Sequence, residues 1–304
     1  MSVYSYIGSG AVYAAPFGGG KMRKLGHCTQ LEMAVSQKVK ELHDWQNSAG
    51  GVVDSLRRIE KVAVAMTITE LSPENLAMAV FGASSQTTSG AVANESVTAW
   101  LGGLVRLSHI QPAGVTVTSS DGETAPDWLS STAYVAGDYV IPTTPNQHYY
   151  KCTTSGTSGG SEPTWPVSGT TITDGSAQWQ DMGTIIRVEG SDFELTGAGL
   201  FIPETSAMEE GRTIDVDYSY GSEEVVQALI NSGTELTMVF DGLNEAQDDR
   251  PRVVDLHRVR FGPTSGHPLV TDGFASLTLS GILLKDTNQS GEGVSQYFKE
   301  TLAA

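Results

Sequence analysis

The sequence has few cysteines, few basic residues and no long hydrophobic run, and each shortage argues against a class of protein. Two cysteines in 304 residues argue against a disulfide framework and fit synthesis in a reducing, intracellular compartment. Lys and Arg number 18 against 35 Asp and Glu, a net charge of −17, which argues against binding nucleic acid through phosphate contacts. No apolar run is long enough to span a membrane, and the first residues lack a signal-peptide pattern.

Motifs that carry catalysis are also missing. The six histidines show neither paired spacing on a predicted helix nor a neighbouring cysteine pair, so the sequence predicts no metal site. Nothing fixes the separation of acidic pairs such as Glu209 and Glu210, which argues against glycosidase carboxylates. No GxSxG, phosphate-loop or GxGxxG motif is present. We therefore expect no enzyme activity and no cofactor.

The clearest local pattern is a strand followed by a short helix in residues 61–82. Apolar residues in 62–68 alternate with small or polar ones, which indicates a strand with one apolar face. Ser72 and Pro73 suit the start of a helix, as N-cap and first helical residue. The helix is apolar on nearly every side, which predicts burial, and Gly82 is expected to end it as a left-handed residue.

Most of the other segments are predicted to be strands. Residues 31–39 alternate as a half-buried strand, and residues 41–60 then form a hairpin or an extended loop. Residues 1–29 are glycine-rich and are expected to be a mobile arm, or an arm that reaches an acidic neighbour. Further strands are predicted at 213–220, 235–241, 253–261 and 274–284, and a second helix at 222–231.

Composition changes in residues 126–183. This segment holds three of the five Trp and five of the 12 Pro, but a single basic residue, Lys151. We interpret it as an inserted domain, with residues 1–125 and 184–304 forming one discontinuous main domain. The fold class predicted is mainly β: a β-sandwich or barrel with a short buried helix, plus a small inserted β domain. The flanking segments VTVTSS and TIIRVEG are expected to pair as neighbouring strands.

The order of these segments resembles the major tail tube proteins of long-tailed bacteriophages. The resemblance rests on the order of strand, long loop and strand, then ELSPENLAMAVFG, DVDYSY, FDGLNE and VVDLHRVRFGP, and it covers residues 1–125 and 184–304. It implies a virion structural protein, made in the host cytoplasm, whose hexameric rings stack into the tail tube that conducts DNA. The implied partners are other copies of the chain, a tape measure protein and a tail terminator, with no membrane.

The resemblance and the strand pattern together give candidate site residues. Acidic side chains on a channel wall would repel DNA phosphates and let DNA pass without binding, although each carboxylate is equally compatible with outer solvent. The lumen candidates are Glu32, Asp215, Asp217 and Glu235. Candidates for contacts between rings lie on the 41–60 segment and are Trp45, Arg57 and Arg58.

The inserted segment offers a competing function. Its aromatic pattern resembles small chitin- and cellulose-binding modules, and its longer form resembles modules within phage virion proteins. Trp128 and Tyr134 are expected in the core, whereas Tyr149 and Trp165 fit glycan binding and core packing equally. The alternative function is therefore a carbohydrate-binding or carbohydrate-degrading phage surface protein. A decoration protein attached to a shell is a third reading. In a tube, the insert is expected on the outside, where a surface glycan is a further candidate partner.

Overall fold

The computed structural model describes residues 5–303 and is mainly β, with 52% of the chain in strands and 5% in helices. This confirms the predicted mainly-β class with a short helix. No helix within residues 5–303 is long and apolar enough to cross a membrane. In chain order the elements are β1 (Gly8–Pro16), β2 (Arg23–Lys24), β3 (Cys28–His43), β4 (Val52–Ile68), α1 (Pro73–Ala79), β5 (Ala83–Thr87), β6 (Gly90–Thr98), β7 (Gly103–Arg106), β8 (Ala113–Ser119), α2 (Ser120–Glu123), β9 (Ala133–Tyr134), β10 (Tyr139–Val140), β11 (His148–Thr154), β12 (Gly156–Thr157), β13 (Thr171–Asp174), β14 (Ala177–Thr184), β15 (Ile186–Arg187), β16 (Glu194–Thr196), β17 (Gly199–Ile202), β18 (Thr213–Tyr220), β19 (Glu223–Gln227), β20 (Glu235–Asn244), a 3₁₀ turn (Glu245–Gln247), β21 (Arg250–Phe261), β22 (Leu277–Leu283) and β23 (Phe298–Leu302).

The chain divides into two compact units. We call Met1–Ser85 with Glu224–Ala304 the terminal unit, and Gln86–Glu223 the central unit. This division falls near residues 85 and 223, whereas the change in composition falls at residues 126 and 183. The compact units are therefore not the same segments as those that composition separates.

The terminal unit is built on an eight-stranded sheet. Its order is β2-β1-β20-β21-β22-β4-β3, and β23 pairs with β21. One face buries an apolar cluster in which Met66 and Ile68 of β4 lie beside residues of α1, β20, β21 and β22. The structure confirms the alternation predicted for residues 62–68. It also confirms the predicted strands at 213–220, 235–241, 253–261 and 274–284, and the observed ends of the last three differ from the predicted ones.

Helix α1 begins as predicted but ends differently. The Ser72 side chain accepts a hydrogen bond from the backbone N–H of Asn75 at 3.3 Å, and Pro73 is the first helical residue. The left-handed residue after the helix is Phe81, with φ 53°, rather than Gly82. Glycine is needed at 82 because a Cβ there would overlap the carbonyl oxygen of Gln227.

The expectation of an arm over residues 1–29 is wrong for its central part. Strand β1 pairs with β20 from Gly8 opposite Asn244 to Pro16 opposite Leu236, and Val12 is buried in the core. A Cβ at Gly10 would overlap the backbone of Asp241. Glycine here permits two strands to approach closely, and it does not indicate mobility.

The second predicted helix is also wrong. Residues Glu223–Gln227 form strand β19, which pairs with β5 in a two-stranded sheet. The adjacent Val225 and Val226 are β-branched and favour a strand over a helix. The acidic residues at 223 and 224 suggested a first helical turn, but charge at a helix start is the weaker of the two signals.

The central unit contains two separate hydrophobic clusters. One lies among the sheets β15-β8-β18-β6 and β16-β17-β7, and its buried residues include Val117, Phe193, Leu200 and Val216. In these sheets β8 pairs with β15, with Thr118 opposite Ile186, so the predicted pairing of VTVTSS with TIIRVEG is confirmed.

The other cluster lies within residues 126–183. Its strands form a four-stranded sheet, β10-β11-β14-β13, and a two-stranded sheet, β12-β9. The buried residues of this cluster all come from the same segment and are Trp128, Val140, Tyr150, Cys152, Ala177 and Trp179. The aromatic-rich segment thus has a small core of its own inside the central unit.

Candidate functional site

The outer parts of β3 and β4 form a hairpin that is exposed on both faces. The two strands pair from Cys28 opposite Ile68 to His43 opposite Val52, so the hairpin alternative for 41–60 is confirmed and the extended loop is wrong. We call residues 37–61 the outer hairpin; Asp44 is half-buried, and all the other residues of this segment are exposed. Its exposed large apolar side chains are Val39, Leu42, Trp45, Val52, Val53, Leu56 and Ile59.

The expected burial of residues 31–39 is therefore wrong at their outer end. Leu31 and Met33 pack against the core, whereas Val35 and Val39 are exposed. The period of two is real, but the core that covers one face of the inner strand does not extend this far. Alternation shows that a strand has two distinct faces and does not show that either face is covered.

The register of the outer hairpin collects three basic side chains and one acid, Asp54, on one face. Lys38 lies opposite Arg58, and Lys40 lies opposite Leu56 on the same face. Arg57 lies opposite Val39 on the other face, so the two predicted arginine candidates point to opposite sides. Like charges placed directly across a strand pair repel each other. This face is therefore suited to an acidic partner.

The turn of the outer hairpin is held by Asp44. Its carboxylate accepts hydrogen bonds from the Asn47 side chain at 2.6 Å and from the Gln46 backbone at 2.7 Å, and these bonds lower the pKa of Asp44. The Asp44 backbone N–H donates to the Gly51 carbonyl at 2.7 Å. Trp45 lies in this turn with 87% of its surface exposed. An ordered turn thus presents an uncovered indole.

The four acidic lumen candidates divide between the two units. Asp215 and Asp217 lie on β18, where Asp215 accepts hydrogen bonds from Ser96 and Ser120 hydroxyls and Asp217 accepts one from the Asn94 N–H at 2.7 Å. Neither forms an ion pair within residues 5–303. Their negative charge therefore has no cationic partner in the described chain.

The other two acidic candidates belong to the terminal unit. Glu235 begins β20 and receives two hydrogen bonds from the Arg258 guanidinium, at 2.8 and 3.0 Å. These bonds lower the pKa of Glu235 and balance its charge. Glu32 is exposed on β3 and accepts from the Gln30 side chain at 3.0 Å. Of this pair, only Glu32 presents an unbalanced carboxylate.

The aromatic core of residues 126–183 is organised by one buried carboxylate. Asp174 accepts hydrogen bonds from the indole N–H groups of Trp128 at 2.8 Å and Trp179 at 3.1 Å, and from the Gly159 N–H at 2.7 Å. Tyr134 packs edge-on against Trp179 at 4.8 Å. The prediction that Trp128 and Tyr134 serve as core is confirmed.

The two glycan-binding candidates differ in exposure. Tyr149 is only 3% exposed, and its hydroxyl hydrogen-bonds with Ser119 and Arg187. A sugar has no access to this ring, so the glycan alternative for Tyr149 is wrong. Trp165 is partly buried, packs 4.3 Å from Tyr150 and donates its N–H to Glu162 at 2.8 Å. Trp165 is thus the remaining candidate of the two.

The sequence analysis missed a polar cluster in the central unit. Glu95 accepts hydrogen bonds from the Ser108 backbone and hydroxyl and from the Tyr218 hydroxyl at 2.5 Å. Partial burial opposes ionisation of Glu95, but these bonds outweigh it and lower its pKa. Burial and the Glu95 contact raise the pKa of Tyr218 to about 12. These residues are too far apart in sequence for a local motif to have revealed them.

A second carboxylate holds the adjoining turn. Glu223 accepts from the Ile110 N–H at 2.6 Å and lies 3.0 Å from the His109 ring. That ring stacks on Tyr220 with centroids 3.5 Å apart. No group of three His, Cys, Asp or Glu side chains suited to a metal ion occurs in the described part of the chain. The arrangement of Glu223, His109 and Tyr220 therefore fixes a turn.

Both cysteine thiols are free. Cys152 lies in the aromatic core, and Cys28 is half-buried at the start of β3. Burial raises the pKa of each thiol, which disfavours the reactive thiolate. Packing, rather than nucleophilic chemistry, accounts for both positions.

One comparison places the chain in a family. The model of the family described as "Protein of unknown function UCP028589" matches residues 5–148 and 170–301, so the chain belongs to that family. The unmatched residues 149–169 lie inside the aromatic-rich segment. No curated protein matches the chain.

Proposed function

We propose that the chain is a structural subunit of a phage tail tube, in which copies associate into rings and the rings stack. The outer hairpin is the observation that carries this proposal. An isolated two-stranded hairpin is marginally stable in water, and large exposed apolar patches usually mark contact surfaces. The side chains on both faces of residues 37–61 would gain cover from neighbouring copies.

Charge supports contact with another copy of the same acidic protein. The outer hairpin has five Lys and Arg and four Asp and Glu, in a chain where acidic residues outnumber basic ones 35 to 18. Its basic face, with Lys38, Lys40 and Arg58, is complementary to the acidic surface that the rest of the chain supplies.

The sheet of the terminal unit supports edge-to-edge assembly. Strand β3 ends the order of this sheet and pairs with β4 alone among the described strands, so its other edge has free N–H and C=O groups. Such an edge favours pairing with another chain. Closed rings satisfy every edge, which is why a ring is the proposed unit.

The acidic residues fit passage of DNA without binding. Glu32, Asp215 and Asp217 have no cationic partner in residues 5–303, and carboxylates repel phosphates. Under this proposal, the partners are further copies, a tape measure protein and a tail terminator in the virion tail, with residues 126–183 displayed outside. The carbohydrate-binding alternative receives less support, because Tyr149 is buried and Trp165 packs on Tyr150.

The experiment removes the outer hairpin and keeps the inner ladder. Gln37 and Ile59 are paired, so replacing residues 38–58 by Asn-Gly joins them through a tight turn. We expect a folded monomer by circular dichroism and sedimentation, and no rings or tubes by negative-stain microscopy. The control replaces only residues 46–49 by Asn-Gly and should still assemble. Tubes from the shortened chain, or a wild-type chain that remains monomeric at all concentrations, would contradict the proposal.

A further inference from the structure

The segment between β21 and β22 presents bare apolar side chains. Leu269 is 83% exposed, Val270 96% and Phe274 101%. We call residues 262–276 the apolar loop. It contains no Lys or Arg and one acid, Asp272. Exposing several large apolar groups on one loop is unfavourable in water, which indicates a contact surface.

A pocket of matching character lies in the same unit. It has a volume of about 290 Å³ beside α1. Its apolar lining includes Ala77, Met78, Leu236 and Phe261, and Lys21 and Arg23 also line it. We call it the helix pocket. Its volume is sufficient for an aromatic side chain.

Charge favours a second copy as the occupant. Most surfaces of two chains with net charge −17 repel each other, so association is favoured where one copy presents cations. The helix pocket presents two cations, Lys21 and Arg23, against one acid, Glu74, and the apolar loop carries Asp272 beside its apolar residues. Lys21 and Asp272 form no ion pair within residues 5–303.

A second cavity is less suitable. It has a volume of about 560 Å³ and is lined by Glu32, Tyr6 and Arg252. Its one basic lining residue, Arg252, is already paired with Glu300 and stacked on Tyr6, so no cation there offsets the repulsion between Glu32 and Asp272. The helix pocket therefore matches the apolar loop better in charge.

We propose that Phe274 of one copy inserts into the helix pocket of the next copy, with Asp272 near Lys21 and Arg23. Loop and pocket are different patches, so the contact is head-to-tail and repeats from copy to copy. Repetition gives a closed ring or an open filament. This inference rests on the proposed self-assembly and names the two surfaces that meet.

The first test cross-links two different copies. Ser84 is exposed and lines the helix pocket, so a Ser84→Cys chain is mixed with a Phe274→Cys chain that carries a tag of different mass. After mild oxidation, we expect the yield of disulfide-linked heterodimer to be about tenfold or more above the yield in the control mixtures. The controls are wild type with Phe274→Cys, which reports on the native cysteines, and Ser84→Cys with Val294→Cys, at an exposed apolar residue elsewhere.

The second test measures assembly of the intact chain. Phe274→Asp should raise the concentration needed for self-association about tenfold or more, as expected for loss of a buried aromatic anchor, and Val294→Asp should not. Sedimentation velocity gives both values. A Phe274→Asp chain that assembles like wild type overturns the contact. Tubes without the cross-link overturn this inference and leave the proposed function intact, whereas the cross-link without rings or tubes overturns the proposed function alone.

Discussion

The inner and outer halves of the β3–β4 ladder share two strands and have opposite environments. In the inner half, Val64 and Met66 are at most 2% exposed. In the outer half, Leu56 and Ile59 are 51% and 56% exposed, although the same strands remain paired. Backbone pairing is therefore common to both halves, and burial is not.

The difference arises from the neighbours of β4. Strand β22 pairs with β4 only from Leu277 opposite Ile68 to Leu283 opposite Val62, and the apolar cluster beneath it ends there as well. On the side of Val62 toward the turn, β4 has one neighbouring strand among residues 5–303, and its side chains are exposed. Apolar residues in the outer half therefore add stability only when another molecule covers them.

The largest effect is expected from Met66→Ala in the inner half. Met66 is 0% exposed, and removing its side chain leaves a cavity in the main core. We expect a loss of about 2–5 kcal/mol in the free energy of unfolding, measured by urea denaturation of the wild type and the variant. The matched Ile59→Ala should change the same quantity by no more than about 0.5 kcal/mol. Equal losses at both positions would mean that the outer hairpin is covered within the monomer.

A smaller effect is expected from Lys38→Glu in the outer half. This substitution should raise the stability of the chain and weaken its self-association. The new carboxylate lies opposite Arg58, so a repulsive pair becomes an attractive one and stability rises by about 0.2–1 kcal/mol. The basic face loses complementarity to an acidic copy, so self-association weakens about tenfold. Urea denaturation and sedimentation give the two values.

The control for this variant is Lys285→Glu, the same charge change at another exposed lysine. It should leave self-association near the wild-type value. Weaker association in both variants would assign the effect to net charge, and the role of the basic face would then be rejected.

Local signals carried the correct part of the sequence prediction. The alternation in 62–68 and the Ser72-Pro73 start of α1 depend on neighbours in the chain, and both are confirmed. Two of the errors concern long-range contacts, whereas the mistaken helix at 222–231 came from weighing two local signals wrongly. Strand β1 is rich in Gly and Ala, and its pairing with β20 involves positions more than 200 residues away. Burial of Tyr149 depends on Ser119 and Arg187, which its own neighbourhood does not reveal.

The candidate site was predictable in place but not in arrangement. The sequence located Trp45, Arg57 and Arg58 on one segment, and all three lie in the outer hairpin. Which face each arginine occupies depends on the register and on bulges such as the one between Ser36 and Gln37. One residue of shift exchanges the faces, so only the paired structure assigns them.

The smallest expected effect separates a paired arginine from an unpaired one. Arg258 holds Glu235, whose pKa is lowered below its ordinary value of 4.5 by the hydrogen bonds and charge of that arginine. A carboxylate with a lowered folded-state pKa contributes stability above its ordinary pKa and loses that contribution as pH falls through the folded-state pKa. Stability should therefore decline less below about pH 4.5 in Glu235→Gln than in the wild type, a change smaller than the Met66→Ala loss.

Arg58 has no acidic partner within residues 5–303, so Arg58→Gln should leave the dependence of stability on acid pH unchanged. Urea midpoints measured from pH 3 to 6 on the three chains test this, and indistinguishable slopes for Glu235→Gln and wild type would show that the Glu235–Arg258 pair adds nothing to stability.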